Sequence, residues 1–302
     1  MHRQPAVAGF FYPGSAESLR KQVEGFVVSG AEKIKAIGIL SPHAGLMYSG
    51  SVAGAVYSKV ELPDTFVLIG PNHTGLGAPV SLMASGSWET PLGTVDIDEA
   101  LAVLILSKST RIREDLLAHL QEHSLEVQLP FIQYFKDTFK IVPIQMLDTR
   151  LETCLEVGRA VAEAIKERRQ RTEDGGQTIG DKDQNSAIRL SACSAQAGNP
   201  QSAIHDVLIV ASSDMSHYEP AAAAKEKDFK AIEQILKLDA EGLYHVVREH
   251  GITMCGYGPA VAMLAASKAL GAAKAELIKY ANSGEVSGDY DQVVGYAGIV
   301  VF

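Results

Sequence analysis

The sequence predicts an α/β protein with a central, mostly parallel or mixed sheet flanked by helices. Apolar runs of strand length at residues 36–40, 66–69 and 207–211 alternate with longer stretches of helical periodicity. Such alternation marks strands buried on both faces and joined by crossover helices. Each of these runs also stops in a polar turn that delivers a histidine: His43, His73 and His217.

Taken in order, residues 15–28 read as a first helix, with Ser15 as cap and Leu19, Val23 and Phe26 as its apolar stripe. The first buried strand, 36–40, is followed by a small-residue helix over 50–60. The second strand, 66–69, leads into Gly70-Pro71-Asn72-His73. A short strand over 79–84 and a turn-rich hairpin over 88–95 follow. Residues 96–108 read as a helix capped by Asp96 or Asp98. Residues 114–135 read as a helix broken before Pro130. The strand 139–146 carries Pro143, which points to an edge or a strand end. Residues 151–168 give the cleanest amphipathic helix, and Cys154 lies on its apolar face as a small core residue. The stretch 170–204 turns polar and small, which marks a surface insertion that holds Cys193. After the third strand come helices over 221–238 and 240–249. Pro259 opens another at its first turn, running to Leu270. Strands at 275–281 and 293–301 close the chain.

Composition narrows the function. The chain has 302 residues, 46% hydrophobic and 21% charged, enough for a large core in an ordinary globular protein. A net charge of −9 argues against nucleic acid as partner. The odd count of three cysteines, without a C-x-x-C pair, argues against a disulfide scaffold and for a reducing compartment. The opening residues lack the pattern of a signal peptide, and no apolar run reaches membrane-spanning length, so a cytoplasmic protein is expected. There is no P-loop, no G-x-G-x-x-G after a strand, no G-x-S-x-G elbow and no H-E-x-x-H, and no nucleotide cofactor is expected.

In open α/β sheets ligands bind outside the carboxyl ends of the strands. Histidines delivered there by several strands can converge on one site. Neutral imidazoles bind iron, copper or zinc, and an anionic partner would complete a set; Cys255, Asp214 and Glu126 are the candidates. Cys255 precedes a helix start, where a thiol pKa is lowered. His217, close to Asp214, fits an oriented general acid/base. Cys255 and His217 together would also suit a metal-free thiol enzyme. His123 and Glu126 stand three apart and share a face if the segment is helical, behind the ligands or toward the substrate. His2, His119, His205, His245 and His250 lack such context and read as surface residues.

Six strings occur along the chain: P-A-V-A-G-F-F-Y-P, S-P-H-A-G-L-M-Y-S-G, G-P-N-H-T-G, E-H-S-L-E-V-Q-L-P-F, S-S-D-M-S-H-Y and M-C-G-Y-G-P. In this order they resemble the MEMO family, known in prokaryotes as protein B of the AmmeMemoRadiSam system. The resemblance covers nearly everything except 170–204, so the chain reads as one MEMO-like domain over 1–302 with an insertion there. The family is similar in fold to class III extradiol (LigB-type) dioxygenases. The resemblance implies metal ligands at His43, His73 and Cys255, with Asp214 and His217 as catalytic residues. It leaves His123, Glu126, Asn72 and Tyr257 around them. Dioxygenases of that class use two histidines and a glutamate, so the cysteine is a departure. The implied function is that of an iron- or copper-binding, oxidoreductase-related protein acting on a small molecule or peptide, with a link to AmmeMemoRadiSam partner proteins. The alternative is a non-enzymatic module binding a peptide or anion in the same crevice. No membrane partner is expected.

Overall fold

The structure is a computed structural model and describes residues 1–176 and 206–302. The chain opens with β1 (His2–Arg3) and α1 (Ala16–Glu24), whose Ser15 cap accepts from the Ser18 N–H. Then come β2 (Gly38–Ser41), α2 (Leu46–Lys59), β3 (Thr65–Pro71), β4 (Val80–Leu82), β5 (Ser87–Thr90) and β6 (Gly93–Ile97). Next are α3 (Glu99–Ser107), β7 (Arg113–Glu114), α4 (Leu117–Leu120), a 3-10 turn (Glu126–Gln128), α5 (Leu129–Phe135) and β8 (Lys140–Met146). The chain continues with α6 (Leu151–Gly176), β9 (Val207–Ser212), β10 (His217–Glu219), α7 (Ala221–Leu236), α8 (Ala240–Glu249), α9 (Tyr257–Ala269), β11 (Ala275–Asn282), α10 (Gly284–Ser287) and β12 (Val293–Val301).

The strands form one mixed sheet in the order β1-β5-β6-β8-β3-β9-β2-β12-β10, with β11 on β12 and β4 bridging β7 and β8. Its middle is parallel: β6 with β8, β8 with β3, β3 with β9, and β9 with β2. Antiparallel β12 closes that run. Every residue of β2, β3 and β9 is buried, as continuous apolar strands under helices on both faces require. Helix α9 packs on β9, β3 and β2 and is backed by α6 and α8; α2 packs on β2, β12 and β11 and touches α5. Among the described residues, no helix is long and apolar enough to cross a membrane.

Several elements differ from the sequence reading, each for a tertiary reason. Pro143 is internal rather than at an edge, with Leu68 of β3 as its partner. It falls in the gap where β8 leaves β6 after Ile141 and takes up β4 at Ile144, so its missing N–H breaks no ladder there. Helix α9 begins at Tyr257 behind a Gly256 cap, which places Pro259 in the first turn but not at its first position. The expected helix over 114–135 is instead a strand, two short helical turns and α5, with Glu122, His123 and Ser124 in the connecting loop. Cys193 and His205 lie outside the described residues, as does most of the expected insertion.

Candidate metal centre

The parallel strands β3, β9 and β2 are neighbours, and all release the chain at the same edge. His43 follows β2, His73 follows β3, and Asp214 follows β9 between them. The loop before the 3-10 turn brings His123 to the same place. One ring nitrogen each from His43, His73 and His123 lies within 4.8 Å of the others. The rings pack edge to face or stacked, with centroids 4.8 to 5.5 Å apart. His43 is the buried floor at 2% exposure, while His73 stands at the open rim.

Two glycines make this convergence sterically possible. A Cβ on Gly70 of β3 would stand 2.6 Å from Leu125 and 2.8 Å from the Ser124 hydroxyl, so only glycine lets the His123 loop seat against the strand that carries His73. A Cβ on Gly256 would stand 2.3 Å from the Ser212 carbonyl, which is how closely the start of α9 approaches the end of β9. That approach sets Cys255 beside His43, with Sγ 3.3 Å from Nε2.

Hydrogen bonds fix which nitrogen each ring presents. The Ser212 hydroxyl gives its proton to the Ser124 carbonyl, at 2.6 Å, and accepts from Gln128 Nε2 at 2.8 Å. It can therefore only accept from His43 Nδ1, 2.9 Å away, so His43 carries its proton on Nδ1 and turns the Nε2 lone pair into the pocket. His73 Nδ1 lies 3.0 Å from Glu122 Oε1, and His123 Nδ1 lies 3.2 Å from the same oxygen. Burial, with the neighbouring histidines, pushes the His43 pKa well below its ordinary 6.5 and keeps it neutral. Burial likewise lowers His123. Neutral imidazoles with Nδ1 held by an oxygen acceptor are the form in which histidine ligates metal. The donor set thus fits a metal ion.

The other sequence candidates divide. Asp214 is buried; its Oδ1 accepts from the backbone N–H of His43 at 2.8 Å and of Ala44 at 3.3 Å, which pins the turn that carries His43. Burial raises its pKa, and those N–H groups and the His217 charge oppose the rise. His217 does not take Asp214 as its hydrogen-bond partner; Nδ1 pairs with the Thr253 carbonyl at 2.9 Å and leaves Nε2 as an acceptor. Cys255 lies in the loop just before α9, yet burial and the nearby Asp214 push its thiol up rather than down. Desolvation of a thiolate works against the helix terminus here. That direction weighs against a metal-free thiolate nucleophile. Asn72 shapes the loop after β3, with Oδ1 accepting from the Thr74 and Gly75 N–H groups. Tyr257 pairs with the Thr149 hydroxyl at 2.8 Å. Glu126 turns away from the pocket into a buried ion pair with Arg3 at 2.8 Å, and also accepts from the Tyr12 hydroxyl and the Ala6 N–H. His119 is fully buried, not a surface residue.

Glu122 is the residue that the sequence argument passed over. It is fully buried and faces two of the histidines, and its signal was present as the residue before His123 in E-H-S-L-E.

Three clustered histidines at the carboxyl edge of a parallel sheet, His43 buried and His73 exposed, define an α/β protein with a candidate metal-binding site. A family described as Memo-like protein matches residues 3–172 and 191–300, skipping part of the 170–204 stretch. A MEMO1 family protein of Methanopyrus kandleri is 40% identical over 99% of both chains. Those of Methanosarcina acetivorans and Aquifex aeolicus are 44% and 43% identical over 99% of this chain and 98% of their own. The chain belongs to the Memo-like family.

Proposed function

We propose that this protein binds a redox-active metal, iron or copper, through His43 and His73, with Cys255 and His123 competing as further ligands, and that it is related to oxidoreductases. The observation that carries this reading is the His43, His73 and His123 cluster with ring nitrogens within 4.8 Å. Cys255 suits the same reading, because ligands at about 2.0 and 2.3 Å from one ion in tetrahedral array stand about 3.5 Å apart, close to the 3.3 Å between Sγ and Nε2. A bound metal supplies Lewis-acid and one-electron chemistry. The protein supplies the exposed rim for a small-molecule or peptide substrate and a proton acceptor at His217 Nε2, with Asp214 holding the His43 turn. The link to AmmeMemoRadiSam partner proteins belongs to this reading.

The test is the metal content of protein purified without oxygen. Wild type is expected to retain close to one equivalent of iron or copper, and His43→Ala to lose it. Cys255→Ser and His123→Ala divide the loss according to which of them ligates. Equal metal in wild type and His43→Ala would defeat the reading.

A groove of about 480 Å³, lined by Phe10, Phe11, Met47 and Tyr48 among others, favours the second reading, a peptide-binding module. It adjoins the pocket through Phe11, whose ring lies 4.6 Å from His123. Peptide binding that survives complete chelation would favour this module over the metal protein.

A further inference from the structure

Glu122 touches two of the three clustered histidines from behind. Oε2 accepts from the His73 backbone N–H at 2.5 Å. Oε1 lies 3.0 Å from His73 Nδ1 and accepts from the His123 and Ser124 N–H groups at 2.9 and 3.0 Å. His123 Nδ1 stands 3.2 Å from the same oxygen. The carboxylate is fully buried, whereas the His73 side chain is 36% exposed. A loop histidine at a solvent rim would otherwise sample several rotamers and both tautomers.

We propose that Glu122 is the positioning residue of the centre: one carboxylate that holds two histidines from separate loops with their Nε2 atoms turned inward. This inference rests on the metal reading above. The logic is one of donors and acceptors. An ionised carboxylate only accepts, so every group facing it must donate. His73 must then keep a proton on Nδ1, which leaves Nε2 as the ring atom turned to the pocket. His123 is held less firmly, because Oε1 already receives two backbone N–H groups and His73. Its Nδ1 lies at ion-pair distance but lacks the geometry of a directed bond. Outer partners of this kind set ligand orientation and basicity, and their loss weakens metal binding by about 10- to 100-fold.

Glu122→Gln tests this. An amide in either orientation turns an N–H toward groups that also donate. With the NH2 at the Oε1 place the His73 ring responds by moving its proton to Nε2, whereas with the NH2 at the Oε2 place the carbonyl still accepts from Nδ1, so the shift is partial. The readout free of metal is the 15N–1H spectrum of the histidine side chains. Metal-free wild type is expected to show His73 protonated on Nδ1, and Glu122→Gln to show it shifted toward Nε2. The readout with metal is Zn(II) affinity, expected to fall about 10- to 100-fold in Glu122→Gln. Glu122→Asp keeps the charge and is expected to keep the tautomer, so it serves if the glutamine variant does not fold. An Nε2-protonated His73 in metal-free wild type would overturn the proposal, as would an unchanged tautomer and zinc affinity in Glu122→Gln. A wild type with the expected tautomer that takes neither zinc nor iron nor copper would sink the metal reading and leave the positioning role standing.

Discussion

Ser212 decides which nitrogen His43 offers, because its single proton is already given to the Ser124 carbonyl. Decisions of this kind, made by one hydroxyl or one carboxylate, set the chemistry of the pocket and leave no trace in the hydrophobic pattern. His119 is another such case, away from the pocket. Burial first and the Arg3 charge second hold its pKa at about 3 against an ordinary 6.5; Asp115 and Glu122 pull the other way without reversing this. Its folded pKa is thus lowered. Below 6.5 the unfolded chain takes a proton that the folded one refuses, so stability falls as pH drops from 6.5 toward 3 and is unaffected by this group above that range. A single proton corresponds to a slope of about 1.4 kcal/mol per pH unit at most. His119→Phe is expected to flatten the acid limb of stability against pH in that window. Denaturant unfolding at a series of pH values measures it, and parallel limbs for the two proteins would contradict the assignment.

At the scale of elements, the strands were legible and their ends were not. Runs such as Phe66–Ile69 and Val207–Ala211 are apolar throughout because both faces are covered, and that pattern needs no knowledge of the partner. The start of α9 is not legible in the sequence because its position follows from contact with β9. Gly256 fits against the Ser212 carbonyl and donates its N–H to the Ser213 hydroxyl at 2.9 Å, neither of which local propensity can foresee. Residues 114–135 look helical, yet the buried Glu122 accepts backbone N–H groups of His123 and Ser124 and holds the segment open as a loop. The same long-range contacts, absent from the local pattern, are what distinguish Glu122 from Glu126. Gly256→Ala is expected to push α9 off the end of β9, with a loss of about 1–3 kcal/mol from overpacking and displacement of Cys255 from His43. Thermal unfolding and the rate of thiol modification read the two effects. Wild-type values in both would show that the close approach does not matter.

The whole molecule ties the pocket to the N-terminal segment. Strand β1 adds to β5, Arg3 forms its buried ion pair with Glu126 and donates to the His119 and Glu122 carbonyls, and Tyr12 reaches Glu126. The first dozen residues therefore brace the loop that carries His123, a pairing across more than a hundred residues that only the fold reveals. The central claim is that this pocket takes a metal through its histidines, and X-ray absorption on anaerobically loaded iron or copper protein tests it most directly. Imidazole scatterers at about 2.0 Å are expected, with or without sulfur at about 2.3 Å according to whether Cys255 joins them. A metal surrounded only by oxygen, with no imidazole signature and the same spectrum in His43→Ala, would contradict the claim.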